Sequence, residues 1–375
     1  MNSAILKLSL IVLLLLGLPM LGVALAGKPI ARYLEFPPLT RYVEHAPFSW
    51  VAFVLLSVFV LAVTGIFFRR ALIPPSHSSP SEGGGEGGGG SLLPECRAFP
   101  WWGWLGVILT TVAWVLAWSR FGLFEGLQRH TFTPLWIGYI LVINALTFRR
   151  SGRCMLKDRP GYLLALFPLS AAFWWFFEYL NRFVQNWYYV GISEFSPVEY
   201  VWYATPPFST VLPAVLGTTE WLSTYPRLSL ALQNLRPMRI KHATMLGWVV
   251  LLLASAGLMG IGIWPDSLFP LLWVSPLLVI VSLQVVSGEE TIFSVVQRGD
   301  WRPVWIPALA ALLCGFFWEM WNFRSLAHWE YAVPFVHRVQ LFEMPLLGYA
   351  GYLPFGLECV VIASLLPGRA STGQR

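Results

Sequence analysis

The sequence predicts an all-α protein: a polytopic transmembrane helical bundle of about ten spans, containing a tandem parallel repeat of four spans. Composition points there first, because 56% of the 375 residues are hydrophobic, only 12% are charged and the mean hydropathy is +0.62. A soluble domain carries about 25% charged residues. Second, several uninterrupted apolar runs of roughly 18 to 23 residues are each long enough to cross a hydrocarbon core of about 30 Å as a helix. Segments of about ten residues alternating in polarity, the mark of a transmembrane barrel, are not found. Third, features of the chain recur in order, as expected of a duplication.

The first apolar run, 5–26, follows an N-terminus with one charge, Lys7, and ends in Ala24-Leu25-Ala26-Gly27. It reads as an anchor or a cleaved signal peptide, and its length of about 20 residues favours the anchor. Further spans are expected at 48–68, 101–120, 132–148, 161–184, 206–222, 243–264, 267–287, 304–324 and 344–366. With the N-terminus inside, the pair Arg69 and Arg70, the cluster from Arg149 to Arg159 and the group Arg227, Arg236, Arg239 and Lys241 all fall on the inner side. The excess of basic residues on inner loops then places both termini in the cytoplasm, in the inner membrane of a prokaryote.

The stretch 74–95 is rich in Gly, Ser and Pro and too polar to bury anything, so it reads as a flexible linker. It separates an N-terminal segment, 1–73, from two repeat units, 96–242 and 243–375. The units align through Pro134–Ile143 with Leu271–Ile280 and Phe176–Asn181 with Phe317–Asn322. Trp187-Tyr188-Tyr189 corresponds to Trp329-Glu330-Tyr331, and Leu212-Pro213 before Glu220 to Leu353-Pro354 before Glu358. An even number of spans per unit gives both copies one orientation.

A carboxyl group inside a span is costly, so Glu178, Glu319, Glu220 and Glu358 are the candidate acid/base residues. Glu178 and Asn181 share a helix face, as do Glu319 and Asn322. By helical rise the first two carboxyls belong toward the outer leaflet and Glu220 and Glu358 in the inner third, in two layers about 15 Å apart. Arg182, four residues after Glu178, is the expected ion partner if the carboxyl only fixes packing. Asn181, Asn322, Trp187, Tyr189, Trp329 and Tyr331 are candidate substrate-binding residues, since ring faces suit an apolar or cationic species. The competing reading places these aromatics in an interfacial belt. His328, His337 and Glu343 read as solvated loop residues.

The four cysteines, Cys96, Cys154, Cys314 and Cys359, are far apart and the six histidines scattered, so no metal, haem or disulfide framework is expected. Neither a GxxxxGK[ST] loop nor a GxGxxG turn is present, which argues against a nucleotide-driven machine. No cofactor is implied. The net charge of +6 reflects membrane topology and not nucleic-acid binding. The expected partners are membrane lipids and an apolar small molecule.

The order of an acidic residue at a helix end, Trp-x-aromatic, then Pro followed by Glu in the next helix resembles the membrane-embedded lycopene cyclase family, over about 173–222 and 314–362. That resemblance implies Glu220 and Glu358 as proton donors to a terminal double bond. The pattern departs from the family's Pro-x-Glu-Glu signature in units of about three helices, because here each Glu stands alone in a four-span unit. The leading expectation is an intramembrane enzyme acting on a lipid or isoprenoid through carboxyl acid/base chemistry. A secondary transporter or proton-coupled permease using the same carboxylates, and a membrane scaffold, are the alternatives.

Overall fold

The computed structural model describes residues 2–72 and 97–366; the expected linker lies outside the described residues. The fold is helical with a few short strands. In chain order the main helices are α1 (Asn2–Leu25), α2 (Trp50–Leu72), α3 (Trp101–Trp118), α4 (Phe132–Ser151), α5 (Pro160–Val184), α6 (Pro197–Phe208) and α7 (Val211–Ser223). They continue with α8 (Ala243–Ile263), α9 (Ser275–Val286), α10 (Arg302–Asn322) and α11 (Tyr352–Ala363). Among the described residues seven helices are long and apolar enough to cross a membrane, and up to eight if a bent pair counts as one span.

Two expected spans are broken. The run 206–222 divides into α6 and α7 around Ser209 and Thr210, where Pro206 and Pro207 supply no backbone N–H. The freed groups are satisfied locally: Ser170 Oγ donates to Phe208 O at 2.7 Å and accepts from Leu212 N at 3.0 Å, and Thr210 Oγ1 donates to Pro207 O at 2.7 Å. The run 267–287 bends by 55° between Pro265–Leu272 and α9. Pro276 starts the second half, and Glu358 Oε1 accepts from Leu277 N at 3.1 Å.

Helix α7 sits at the centre, buried from Val211 to Thr218 and packed against α4, α5, α10 and α11. A short helix apolar on every face belongs inside a bundle. Helix α1 lies along α8 at close range. A Cβ on Gly22 would meet Met259 O at 2.0 Å, and one on Gly262 would meet Pro19 O at 2.5 Å. Lipid offers no hydrophobic drive between helices, so such small-residue contacts supply the packing. At the α8 end Lys28 Nζ donates to Gly262 O and Ile263 O, and near the start of α1 Lys7 pairs with Glu289.

The basic cluster Arg149 to Arg159 joins α4 to α5, so it marks one end of the bundle. At the opposite end α5 and α10 run into the strands β1 (Trp187–Tyr189) and β2 (Trp329–Tyr331).

Candidate functional site

Helix α5 stops where Gln185 adopts φ 48° and its N–H bonds to Asn181 O. The Asn181 side chain then holds the departing chain. Its Oδ1 accepts from Asn186 N at 2.9 Å and its Nδ2 donates to Trp187 O at 2.7 Å. Asn322 does the same for β2, accepting from Trp329 N at 2.9 Å and donating to Trp329 O at 2.8 Å. Both amides are committed to backbone, so they position the strands rather than offer groups to a ligand.

β1 and β2 pair antiparallel, with Trp187 opposite Tyr331, Tyr188 opposite Glu330 and Tyr189 opposite Trp329. Strand side chains alternate in direction. Trp187, Tyr189 and Tyr331 therefore turn toward the helix ends, while Tyr188 donates to Glu330 on the other side. Glu178 Oε1 receives three donors: Trp174 Nε1 at 3.0 Å, Trp187 Nε1 at 3.1 Å and Tyr189 Oη at 2.6 Å. Glu319 Oε1 accepts from Tyr331 Oη at 2.7 Å and Tyr352 Oη at 2.6 Å, and Trp329 Nε1 donates to the Tyr331 oxygen at 2.8 Å. Both glutamates are buried, and Glu319 Oε2 has no partner among the described residues.

These donors form part of the wall of a cavity of about 910 Å³ at the strand-bearing end. Trp174, Tyr189, Trp318, Trp329, Tyr331 and Tyr352 border it, and the carboxyls stand behind them. Loop residues Arg129, His130 and His328 also border the cavity, as do Leu56, Phe59 and Val60 of α2. Burial pushes the Tyr189 and Tyr331 phenols well above the usual tyrosine range, and the glutamates they face add to the shift. Both phenols therefore remain protonated at neutral pH.

The structure brings Glu178, Glu319, Trp187, Tyr189, Trp329 and Tyr331 together, but not Glu220 or Glu358. Glu220 pairs with Arg159 at the basic end of the bundle. Glu358 is 2% exposed and caps the start of α9, with Oε2 unpartnered among the described residues. Neither borders the aromatic cavity. The ion pair expected between Glu178 and Arg182 is likewise replaced: Arg182 donates to Arg32 O at 2.8 Å and faces Glu35 at 3.6 Å. Trp187 is buried, whereas Trp50, Trp101 and Trp264, at or next to helix ends, are 59%, 77% and 61% exposed.

Trp174, Trp318 and Tyr352 were not singled out from sequence. Trp174 precedes Glu178 by four residues, one helical turn, and that spacing was the available signal. Among the described residues no group of His, Cys, Asp and Glu is arranged to hold a metal ion. Compared with known proteins, the chain matches no protein-family model, no curated protein and no solved structure.

Proposed function

We propose that the protein is an intramembrane enzyme acting on a lipid or isoprenoid in the inner membrane of a prokaryote, with its C-terminus inside. The observation that carries this reading is a large aromatic cavity in which Tyr189 and Tyr331 each connect the interior to a buried carboxyl group. Indole and phenol faces suit an alkyl chain and stabilise a carbocation passing through the site. A proton taken from a substrate C–H by the Tyr189 oxygen moves that residue's own proton to ionised Glu178. On the other side the hydrogen bond reverses: with Glu319 protonated, its carboxyl donates to the Tyr331 oxygen as that phenol gives its own proton to a substrate double bond. One proton leaves and one arrives, so the reaction is an isomerisation needing no oxidant, and proton exchange with water restores the pair.

The same proposal takes 96–242 and 243–375 as tandem parallel units. Its support is the repeated construction in which a helix ends in Glu and Asn three residues apart, the Asn pins the next strand, and a tyrosine of that strand meets the Glu. Counting α6 with α7 as one broken span, Pro265–Val286 as another and α2 as a third brings the total to about ten, with α1 as an anchor.

The test is untargeted lipid and isoprenoid mass spectrometry on cells making equal amounts of wild type, Glu178→Gln or Glu319→Gln. A species altered by wild type alone, and restored to its starting level in both variants, is the expected outcome. If wild type alters no species, the enzyme reading fails. A second reading, a transporter, draws on the broken helix whose Phe269, Pro270, Trp273 and Val274 border the cavity. Proton or solute flux in proteoliposomes that requires both glutamates, without any altered lipid, would favour it.

A further inference from the structure

A second cavity, of about 420 Å³, opens between the chain that follows α1 and the end of α8. Its wall brings together two cations, Lys28 and Arg32, and two acids, Glu44 and Asp266. Lys28 Nζ donates to Gly262 O at 2.9 Å and Ile263 O at 3.0 Å, which leaves one of its three N–H groups for a ligand. Both Asp266 oxygens are occupied, by His45 Nδ1 at 2.8 Å and Ala46 N at 2.6 Å. Among the described residues the Arg32 guanidinium and the Glu44 carboxylate enter no ion pair. With Lys28, which bonds only to backbone oxygens, two cations and one anion therefore line this cavity without an ion-pair partner among the described residues, the rings of Tyr33 and Tyr42 beside them.

The position fixes the kind of ligand. Lys28 comes three residues after α1 ends at Leu25, and Trp264 directly follows α8. Both helices are long and apolar enough to cross a membrane, so the cavity lies level with the ends of two spans, the depth of phospholipid headgroups. An exposed tryptophan at that level is an interfacial anchor. A simple anion would meet Glu44 and Asp266 with no cation of its own to offer them. We infer that the cavity binds a phosphate ester carrying an ammonium group, the zwitterionic headgroup of a phospholipid. The phosphate accepts from Lys28 and Arg32, and the ammonium meets Glu44 and the tyrosine rings. The site is separate from the aromatic cavity and does not depend on the reaction proposed there.

Native mass spectrometry tests this on the full chain released from nanodiscs of equimolar phosphatidylethanolamine, phosphatidylcholine and phosphatidylglycerol. Wild type is expected to retain a zwitterionic lipid in preference to phosphatidylglycerol. Arg32→Gln and Glu44→Gln, both at exposed positions, should each weaken that preference roughly tenfold. An unchanged thermal midpoint establishes that the variants are folded. Equal retention of all three lipids, or a preference for phosphatidylglycerol that Glu44→Gln strengthens, would overturn the assignment. Soluble glycerophosphoethanolamine decides the source: displacement of the lipid assigns the site to the headgroup alone, and retention of the lipid against it assigns the site to the membrane lipid. Either result supports the zwitterion site.

Discussion

At the residue scale, the two kinds of polar group in each half do different work. The tyrosines hold protons at the cavity wall and the asparagines hold the wall in place. Removing only the phenolic oxygen therefore separates chemistry from fold. Tyr189→Phe or Tyr331→Phe should lower formation of the wild-type-specific product by about 10²-fold while leaving abundance near normal, measured by lipid mass spectrometry at matched expression. Asn181→Ala removes the side-chain bonds to Asn186 N, Trp187 N and Trp187 O and leaves buried backbone groups unpaired. It should destabilise the protein by about 2–4 kcal/mol, read from its thermal unfolding in detergent. Because burial raises both phenol pKa values, the neutral donor form persists as pH rises. Neither phenol should ionise between about pH 7 and pH 9, and tyrosinate absorbance inside that window that disappears in Tyr189→Phe or Tyr331→Phe would argue against a phenol relay.

At the element scale, the broken helices explain polar groups that otherwise read as catalytic. Ser170 bridges the gap between α6 and α7, and Glu358 closes the start of α9. Glutamine at 358 keeps a carbonyl oxygen that accepts from Leu277 N, whereas leucine keeps none. Glu358→Gln should therefore accumulate normally and Glu358→Leu should be depleted, as judged by immunoblot of isolated membranes; equal depletion of both would mean the carboxyl group itself is needed. Helix α6 carried a sequence signal that a hydropathy scan passes over. Ser196-Pro197-Val198-Glu199 is a capping box with proline at the first helical position, and it forms, with Ser196 N bonded to a Glu199 oxygen at 2.9 Å.

At the scale of the whole molecule, the bundle is organised around α7, and α1 is packed into it. Gly22 and Gly262 leave no room for a side chain between α1 and α8, so Gly262→Leu should force those helices apart. Protease protection of the N-terminal segment in membranes should then drop, while a leucine at Gly65, which has open space around it, should have no such effect. The strand pair joins the ends of α5 and α10, which lie more than a hundred residues apart in sequence, and so completes the wall of one cavity from both halves.

What the sequence by itself determined is local or compositional. Apolar runs established a helical chain with several helices fit to cross a membrane, and helical spacing paired Glu178 with Asn181 and Glu319 with Asn322, because composition and the period of a helix act within one segment. Tertiary structure decided which of these groups meet. Glu220 and Glu358 looked equivalent along the chain, yet they stand at unequal distances from Pro213 and Pro354, and packing gives one an arginine and the other a helix start. Arg182 was one turn from Glu178 in sequence but turns to Glu35 and Arg32 O. The aromatic cavity depends on β1 meeting β2, a contact between distant segments whose free energy no local pattern encodes.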